Sequence, residues 1–386
     1  MIDGSKLCSR ASQLRGGISC TMDLSVEDLS AMKGGQNCHA EIIFEDGVAW
    51  LARFRIPQVS TPPPEIRDCI LRSELATMKF LRTQTRIPVP EVFDWAAESD
   101  PENCIGTGYI LVEKINGKPL NWPRLSAAQK EKVMQQQVDV FLEIEKHPID
   151  KLGSLIFSGS NSDAFKVQGI AHHSAYSMTN SDTHPLGPFD SAAVAARIIV
   201  ERYLDMIKNV EIGVDYLDDL TLAHRFRLPL IDDIWKGEPG EKFYLKHPDD
   251  KGDHILVHDA FNIVGIIDWE WAHTVSKEDA FSSPCMMWPV GRFYDGSNEL
   301  SDEEVRFANI FRERGRNDLA ECVMEGRKVQ RFYFALGPSG EAYGDRKTFM
   351  DLFAGLRDAF DFGDEKWEKW KAKFRMQIKY CIISWA

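Results

Sequence analysis

The sequence contains no long apolar run: nowhere do the ~18–20 consecutive apolar residues of a bilayer-spanning helix occur. It has no paired cysteines. Cys8, Cys20, Cys38, Cys69, Cys104, Cys285, Cys322 and Cys381 stand singly, none in a Cys-x-x-Cys, so zinc-ligand spacing is absent and a disulfide framework is not expected. It has no excess of basic charge. Its 46 Lys and Arg against 59 Asp and Glu leave a net charge of −13, which argues against nucleic acid as the main partner, because phosphate binding needs a basic face. The same balance admits cationic or metal-bridged ligands. No internal repeat or low-complexity tract is present, which excludes solenoids and propellers. The first six residues, Met1 to Lys6, lack an apolar core of signal-peptide length. These absences lead to the expectation of a cytoplasmic protein with no membrane partner; oligomeric state is left open. What is present is ordinary globular composition, 44% hydrophobic and 27% charged over 386 residues. At ~100–200 residues per domain, that length predicts two or three folding units.

The first third reads as strands around one helix. Ala40–Phe44 and Val48–Phe54 are β-rich runs separated by Glu45-Asp46-Gly47, and Asp-Gly between such runs predicts a hairpin. From Glu65 to about Arg82, Ile66, Ile70, Met78 and Leu81 recur at helical spacing. Pro88 and Pro90 prevent that helix from continuing. Val89–Trp95 and Tyr109–Glu113 predict further strands. From Asn116 the pattern turns helical, with helices expected over 127–145, 192–208, 302–314, 317–331, 347–360 and 365–380. Ser301-Asp302-Glu303-Glu304 is a capping box for one of them. Residues 153–190, rich in Ser, Gly, Asn and Pro, predict a long surface connection. A boundary is therefore expected near residue 115, between a β-rich unit (1–115) and a helical one (116–386).

Two short strands interrupt the helical half. Ile255-Leu256-Val257 and Ile263–Ile267 flank Asp259-Ala260-Phe261-Asn262, a hairpin pattern with His247 to His254 before it and Asp268-Trp269-Glu270 after it. If Val257 pairs with Gly265, His254 stands opposite Asp268. Directly opposed residues of an antiparallel pair have Cα atoms ~4.5–5.5 Å apart, close enough to share an ion. Asp249 lies just upstream on an irregular loop. A loop carboxylate beside two potential metal ligands suits phosphoryl transfer, in which one Asp orients and deprotonates the attacking hydroxyl while metal neutralises nucleotide phosphates. Asp and His also cap turns and strand ends. An isolated His-x-Asp therefore says little, and it is the hairpin and the second Asp that favour chemistry.

His247-x-Asp249-x-x-x-x-His254-Ile255-Leu256-Val257 followed by Gly265-Ile266-Ile267-Asp268-Trp269-Glu270 resembles the aminoglycoside phosphotransferase and choline-kinase-like small-molecule kinases, particularly fungal members. The resemblance is collinear from about residue 34 to 290. It takes in Gly34-Gly35-Gln36-Asn37 as a phosphate-covering turn and Trp50-Leu51-Ala52-Arg53 as the strand bringing a cation to the phosphates. Ser73-Glu74-Leu75 falls in its pairing helix, and Tyr109–Glu113 in the strand entering the hinge. It implies an α+β, bilobal protein-kinase-like fold with a small β-rich N-lobe and a larger helical C-lobe. It further implies ATP with Mg2+ (or Mn2+) as cofactors and a small-molecule acceptor as partner. On that resemblance Asp249 is the catalytic carboxylate, Gly34, Gly35, Arg53, Glu74 and Glu113 contact the nucleotide or order its site, and Asp268 with His254 binds metal.

Three positions differ from the family pattern: His254 for the usual Asn, Pro248 for Gly, and Arg53 for the commoner Lys. Mg2+ prefers oxygen ligands, whereas imidazole suits softer ions, and Arg is a fixed fork rather than a point charge. Two functional classes follow. One is an ATP-dependent phosphotransferase acting on a hydroxyl of a small molecule, with or without an amine. The other is a catalytically impaired kinase-fold protein that binds nucleotide or a small molecule in a regulatory role. A metal-dependent hydrolase is the third, weaker reading. Asp361-Phe362-Gly363 spells the metal tripeptide of protein kinases but stands 112 residues after Asp249, against 19 for Asp268. It also follows the amphipathic stretch Phe349 to Phe360, so a helix end closed by Gly363 is expected there. Trp269 with Trp271, and Trp367 with Trp370, are expected to pack rather than to bind ligand.

Overall fold

A computed structural model describes residues 2–22, 34, 37–55, 63–159, 164–172, 185–209, 211, 215–236, 240–334 and 345–383, with side chains as far as 374. Compactness divides the chain into two units that interleave in sequence. One contains residues 1–149, 153–188 and 244–274, the other 150–152, 189–243 and 275–386.

The first unit is built on a five-stranded antiparallel sheet. Helix α1 (Gly4–Leu14) precedes β1 (Cys20–Met22), β2 (Asn37–Phe44) and β3 (Ala49–Arg55). Then come α2 (Pro64–Gln84), β4 (Val92–Ala96) and β5 (Tyr109–Glu113), giving the sheet order β1-β2-β3-β5-β4. The expected hairpin forms with Ala40 opposite Ala52. Gly47, at φ 82°, adopts the left-handed conformation the turn requires, and the Asp46 carboxylate accepts the Val48 N–H at 3.2 Å. Apolar residues alternate along both strands, so Ala40, Ile42, Phe44, Trp50, Ala52 and Phe54 face one core with Leu7 and Ala11 of α1. Phe93 stacks on Trp50 there, with ring centroids 3.9 Å apart.

Further along the same unit lie β6 (Lys118–Pro119), α3 (Ala127–Glu145), β7 (Ser154–Phe157) and β8 (Phe165–Gln168). They are followed by β9 (Tyr244–Lys246), β10 (Ile255–Val257) and β11 (Ile263–Ile266). Helix α3 spans the expected residues and opens with a Ser126/Gln129 capping box. The long surface connection expected over 153–190 is corrected in part: β7 and β8 pair, β7 packs on α2, and Ile170 and Ala171 are buried. Polar composition masked this strand pair, because Ser154 spends its hydroxyl internally on the Ala171 N–H at 2.9 Å. Residues 160–163 and 173–184 of that stretch, including His173, lie outside the described ones.

The second unit is helical. α4 (Ala192–Lys208) matches expectation and packs on α5 (Leu217–Ile234), which was not expected and carries Pro229 inside it. Short turns α6 (Lys277–Ala280) and α7 (Val290–Tyr294) lead to α8 (Asp302–Glu313), capped by Ser301 and Glu304 as predicted. The helix expected over 317–331 is two, α9 (Asn317–Met324) and α10 (Arg327–Tyr333). They break at Gly326, where a Cβ would come 3.1 Å from that of Ser282. α11 (Arg346–Ala359) and α12 (Asp364–Ile383) complete it. The end of α11 corrects one detail. Asp361, at φ 54°, takes the left-handed position, and the Phe362 N–H returns to the Arg357 carbonyl at 2.9 Å, so Asp361 and not Gly363 closes the helix. Trp367 and Trp370 stack on one another and pack edge-on to Phe226. Among the described residues no helix is long and apolar enough to cross a membrane.

Candidate active site

The alternation that buries Trp50, Ala52 and Phe54 turns Leu51, Arg53 and Arg55 of β3 to the opposite face. There α2 presents Glu74, one turn from Ile70 and from Met78 within its buried stripe. Arg53 donates to Glu74, which is only 3% exposed. Burial pushes the Glu74 carboxyl up against the pull of Arg53. Arg53 Nη1 also lies 3.6 Å from Asp268 Oδ1 and 3.9 Å from Glu270 Oε2. Glu270, 5% exposed, is held by Arg55 and by Asn37 Nδ2, which donates at 2.8 Å. Burial, reinforced by the charge of Arg53, pushes the Arg55 guanidinium down to about 10.

The pairing carries a prediction. Removing one partner of a buried ion pair costs ~3–5 kcal/mol, so Arg53→Leu is expected to destabilise the chain by about 3 kcal/mol in urea unfolding at pH 7. Because Glu74 titrates above its ordinary value in the fold, the folded chain holds that proton more tightly than the unfolded chain. The deficit is therefore full above the raised value and shrinks as pH falls toward the ordinary carboxyl range. A deficit that grows on acidification contradicts the assignment.

The loop that carries Asp249 leaves β9 at His247. His247 Nε2 donates to the Ile267 carbonyl at 2.9 Å, and its Nδ1 accepts the Asp249 N–H at 3.2 Å. The Asp249 carboxylate, 41% exposed, is 3.0 Å from Lys251 Nζ. The hairpin register differs from expectation by one residue. Leu256 faces Gly265 and Ile255 faces Ile266, and the Ile267 N–H donates to the His254 carbonyl at 2.9 Å, so His254 opposes Ile267 rather than Asp268. A bulge between Leu256 and Val257 absorbs the shift at the turn end. In a period-two strand a one-residue slip changes the face a side chain occupies. The His254 ring is buried and stacked on His247 at 4.2 Å between centroids. Burial and the neighbouring His247 and Lys251 hold it well below the usual imidazole range. Gly265 fits a close approach: a Cβ there would come 2.5 Å from Ile115 Cδ1. Asp268 follows at φ 62°, a left-handed conformation that Asp tolerates better than most residues.

Asp249 and Asp268 line one cavity of about 310 Å³, in the range of small-molecule sites. Its walls include Arg53, Glu74 and Lys251, with Leu51, Val112 and Leu256 as apolar surface. Gly34 lies on this wall too, and its N–H donates to the Asn37 carbonyl at 2.8 Å. A Cβ at Gly34 would make only ordinary contact. Gly35 lies outside the described residues. Glu113 also reaches the cavity, at the end of β5, where its N–H donates to the Glu91 carbonyl at 2.8 Å. His254 is not among the described residues of the cavity wall. Three residues of the site received no role of their own from the sequence: Lys251, Glu270 and Asn37. Each left a signal: Lys251 is the cation two positions after Asp249, Glu270 stands two after Asp268, and Asn37 ends the Gly34-Gly35-Gln36-Asn37 turn.

The fit to a divalent ion follows from the donors present. Among the described residues no three His, Cys, Asp or Glu side chains form a metal-holding group. Asp249, beside Lys251, and Asp268, 52% exposed and beside Arg53, line the cavity with hard oxygens, and Glu270 is engaged by Arg55 and Asn37. One or two carboxylates suit Mg2+, which completes its shell with phosphate and water.

No family model matches the sequence. A subtelomeric hrmA-associated cluster protein of Aspergillus fumigatus is 26% identical over 206 residues. That match covers 49% of this chain and 40% of the relative, so the chain spans less than half of that protein's length. Among solved structures, a candidate fructosamine-3-kinase from Thermobifida fusca aligns over 91% of this chain and 98% of its own, at 14% identity and a TM-score of 0.54. A candidate aminoglycoside phosphotransferase from Ralstonia eutropha aligns over 96% and 99%, at 14% identity and a TM-score of 0.49. The fold is the α+β protein-kinase-like fold that the sequence resemblance implied.

Proposed function

We propose that this kinase-like chain is an ATP-dependent phosphotransferase that moves the γ-phosphate to a hydroxyl of a small molecule. The observation that carries the reading is the presence of Asp249, Asp268 and the Arg53–Glu74 pair on the wall of one cavity. Residues 1–115 would form the nucleotide-binding lobe, with backbone groups near Glu113 holding the base against Leu51 and Val112. Residues 116–386 would supply the catalytic loop, the metal site and the acceptor pocket.

In this reading Asp249 orients the acceptor hydroxyl and takes its proton as the oxygen attacks the γ-phosphorus. The bond to the bridging β–γ oxygen breaks, and ADP leaves with that electron pair. Arg53, fixed by buried Glu74, meets phosphate oxygens as a preorganised cation, and Lys251 lies beside the reacting carboxylate. Asp268, which lines the same cavity as Asp249, would hold the divalent ion. That ion, when bound, supplies charge neutralisation on the phosphates. Catalysis is then largely positioning and electrostatics.

Thermal unfolding with ATP, alone and with Mg2+ or Mn2+, tests the reading. A nucleotide at ~100 times its Kd contributes ~2.7 kcal/mol, or a Tm rise of about 2–4 °C for a chain of this size. No shift with either metal overturns the reading. Binding without turnover over a broad panel of hydroxylated acceptors favours the regulatory alternative.

A further inference from the structure

His247 touches both ends of the catalytic hairpin with one ring. Its Nε2–H donates to the carbonyl of Ile267, the residue before Asp268, and its Nδ1 accepts the N–H of Asp249 itself. The two bonds together demand the neutral Nε2–H tautomer. A single planar imidazole thus spans the backbone that carries Asp249 and the backbone that leads into Asp268.

A ring that serves as a spacer needs walls to prevent rotation. Trp269 supplies one, edge-on with centroids 4.8 Å apart, and is anchored by its own Nε1–H on the Ile266 carbonyl at 3.0 Å. His254 supplies the other, its ring within 29° of parallel to that of His247. His254 is itself fixed at two points. Its Nδ1 accepts the Gly252 N–H at 3.4 Å, and its carbonyl accepts the Ile267 N–H. The residue that closes the hairpin is therefore also the one that supports the spacer. Asn at this position offers oxygen to an ion but no aromatic face; His offers the face, and this one is turned into the fold, 7% exposed.

We propose that His254 is a positioning residue rather than a metal ligand: stacked on His247, it holds the ring that sets the separation of Asp249 and Asp268. Its consequence for turnover rests on the phosphotransferase reading above; its consequence for the geometry of His247 does not.

The full chain tests it with His254→Phe, which keeps a ring and removes both nitrogens, and His254→Ala, which removes the ring. Four readouts are followed: the ¹⁵N signals of His247, hydrogen exchange at the Asp249 amide, Mn2+ binding in the presence of ATP, and slow ATP hydrolysis with water as acceptor. The Phe variant is expected to retain the His247 Nε2–H signature and to bind Mn2+ within about twofold of wild type, since a lost ligand costs roughly tenfold or more. The Ala variant is expected to lose that signature, to expose the Asp249 amide to exchange about tenfold faster, and to lose kcat with little change in KM for Mn·ATP. His254→Leu takes its place if the Ala variant does not fold. Equal loss of Mn2+ affinity in the Phe and Ala variants, or an unmoved His247 signature without the ring, overturns the proposal. A wild-type chain inert toward nucleotide sinks the kinase reading instead, and the His247 signals still decide the spacer.

Discussion

Asp249→Asn is expected to lower phosphoryl transfer by roughly 10²–10⁴-fold, while KM for the nucleotide and the melting temperature stay near wild type. The amide is isosteric, so the Asp249 N–H keeps its bond to His247 Nδ1, and what is lost is an acceptor for the hydroxyl proton. The competing effect is the loss of the Lys251 contact at 3.0 Å. Both side chains are substantially exposed, at 41% and 59%, and exposed pairs contribute only ~0–1 kcal/mol. A rate loss of ~3–5 kcal/mol in barrier height outweighs that, so the variant separates chemistry from stability. The measurement is transfer of labelled γ-phosphate, to water or to an accepting alcohol, beside a thermal melt. A fall in kcat without a fall in binding is the pattern of an interaction made only in the transition state. Lys251→Met is the control: it removes the same ion pair and keeps the carboxylate. Equal losses in the two variants would mean that the pair, not the carboxylate, acts.

How far such a site is legible beforehand depends on the range of the signal. The β2–β3 hairpin was plain because Asp46-Gly47 fixes its turn locally and the alternation of Ala40, Ile42, Trp50 and Ala52 fixes its faces. α3 was anticipated over its full span, and the structure shows it capped locally, by Ser126 and Gln129 within four residues. The hairpin carrying His254 was legible as an element but not in register, since the bulge between Leu256 and Val257 moves the pairing by one. Nothing in Asp259-Ala260-Phe261-Asn262 announces that bulge: Phe261 sits at φ 57°, where an aromatic residue is not anticipated. That single step sets His254 opposite Ile267 instead of Asp268, with its ring stacked on His247. α5 was not anticipated; it carries an internal Pro229, and burial of Phe226, Leu230 and Ile231 sustains the helix in the fold. Glu270 was passed over because its partners, Arg55 and Asn37, stand more than 200 residues away, and no spacing rule reaches across that distance.

Asp268→Gly is expected to move two measurements in opposite directions. In the absence of nucleotide the variant should be no less stable than wild type, and up to about 1 kcal/mol more so, because a non-glycine residue in the left-handed region costs ~1–2 kcal/mol and glycine does not. Against that gain stands the greater entropy of an unfolded glycine, ~0.5–1 kcal/mol, and the loss of the Asp268 contact with Arg53 Nη1 at 3.6 Å. The contact is a half-exposed one, and Arg53 retains Glu74, so its removal weighs little. With ATP and Mg2+ present, the metal-dependent part of the stabilisation should vanish, which removes up to ~2.7 kcal/mol at ~100 times the wild-type Kd. Asp268→Asn separates the two contributions, since Asn also tolerates the left-handed conformation. It should lose the metal response without the backbone gain. Melting curves of the three proteins with ATP alone, and again with Mg2+ added, decide the matter. A metal-dependent shift that survives in both variants places the ion elsewhere, and with it the phosphates that Arg53 is poised to meet.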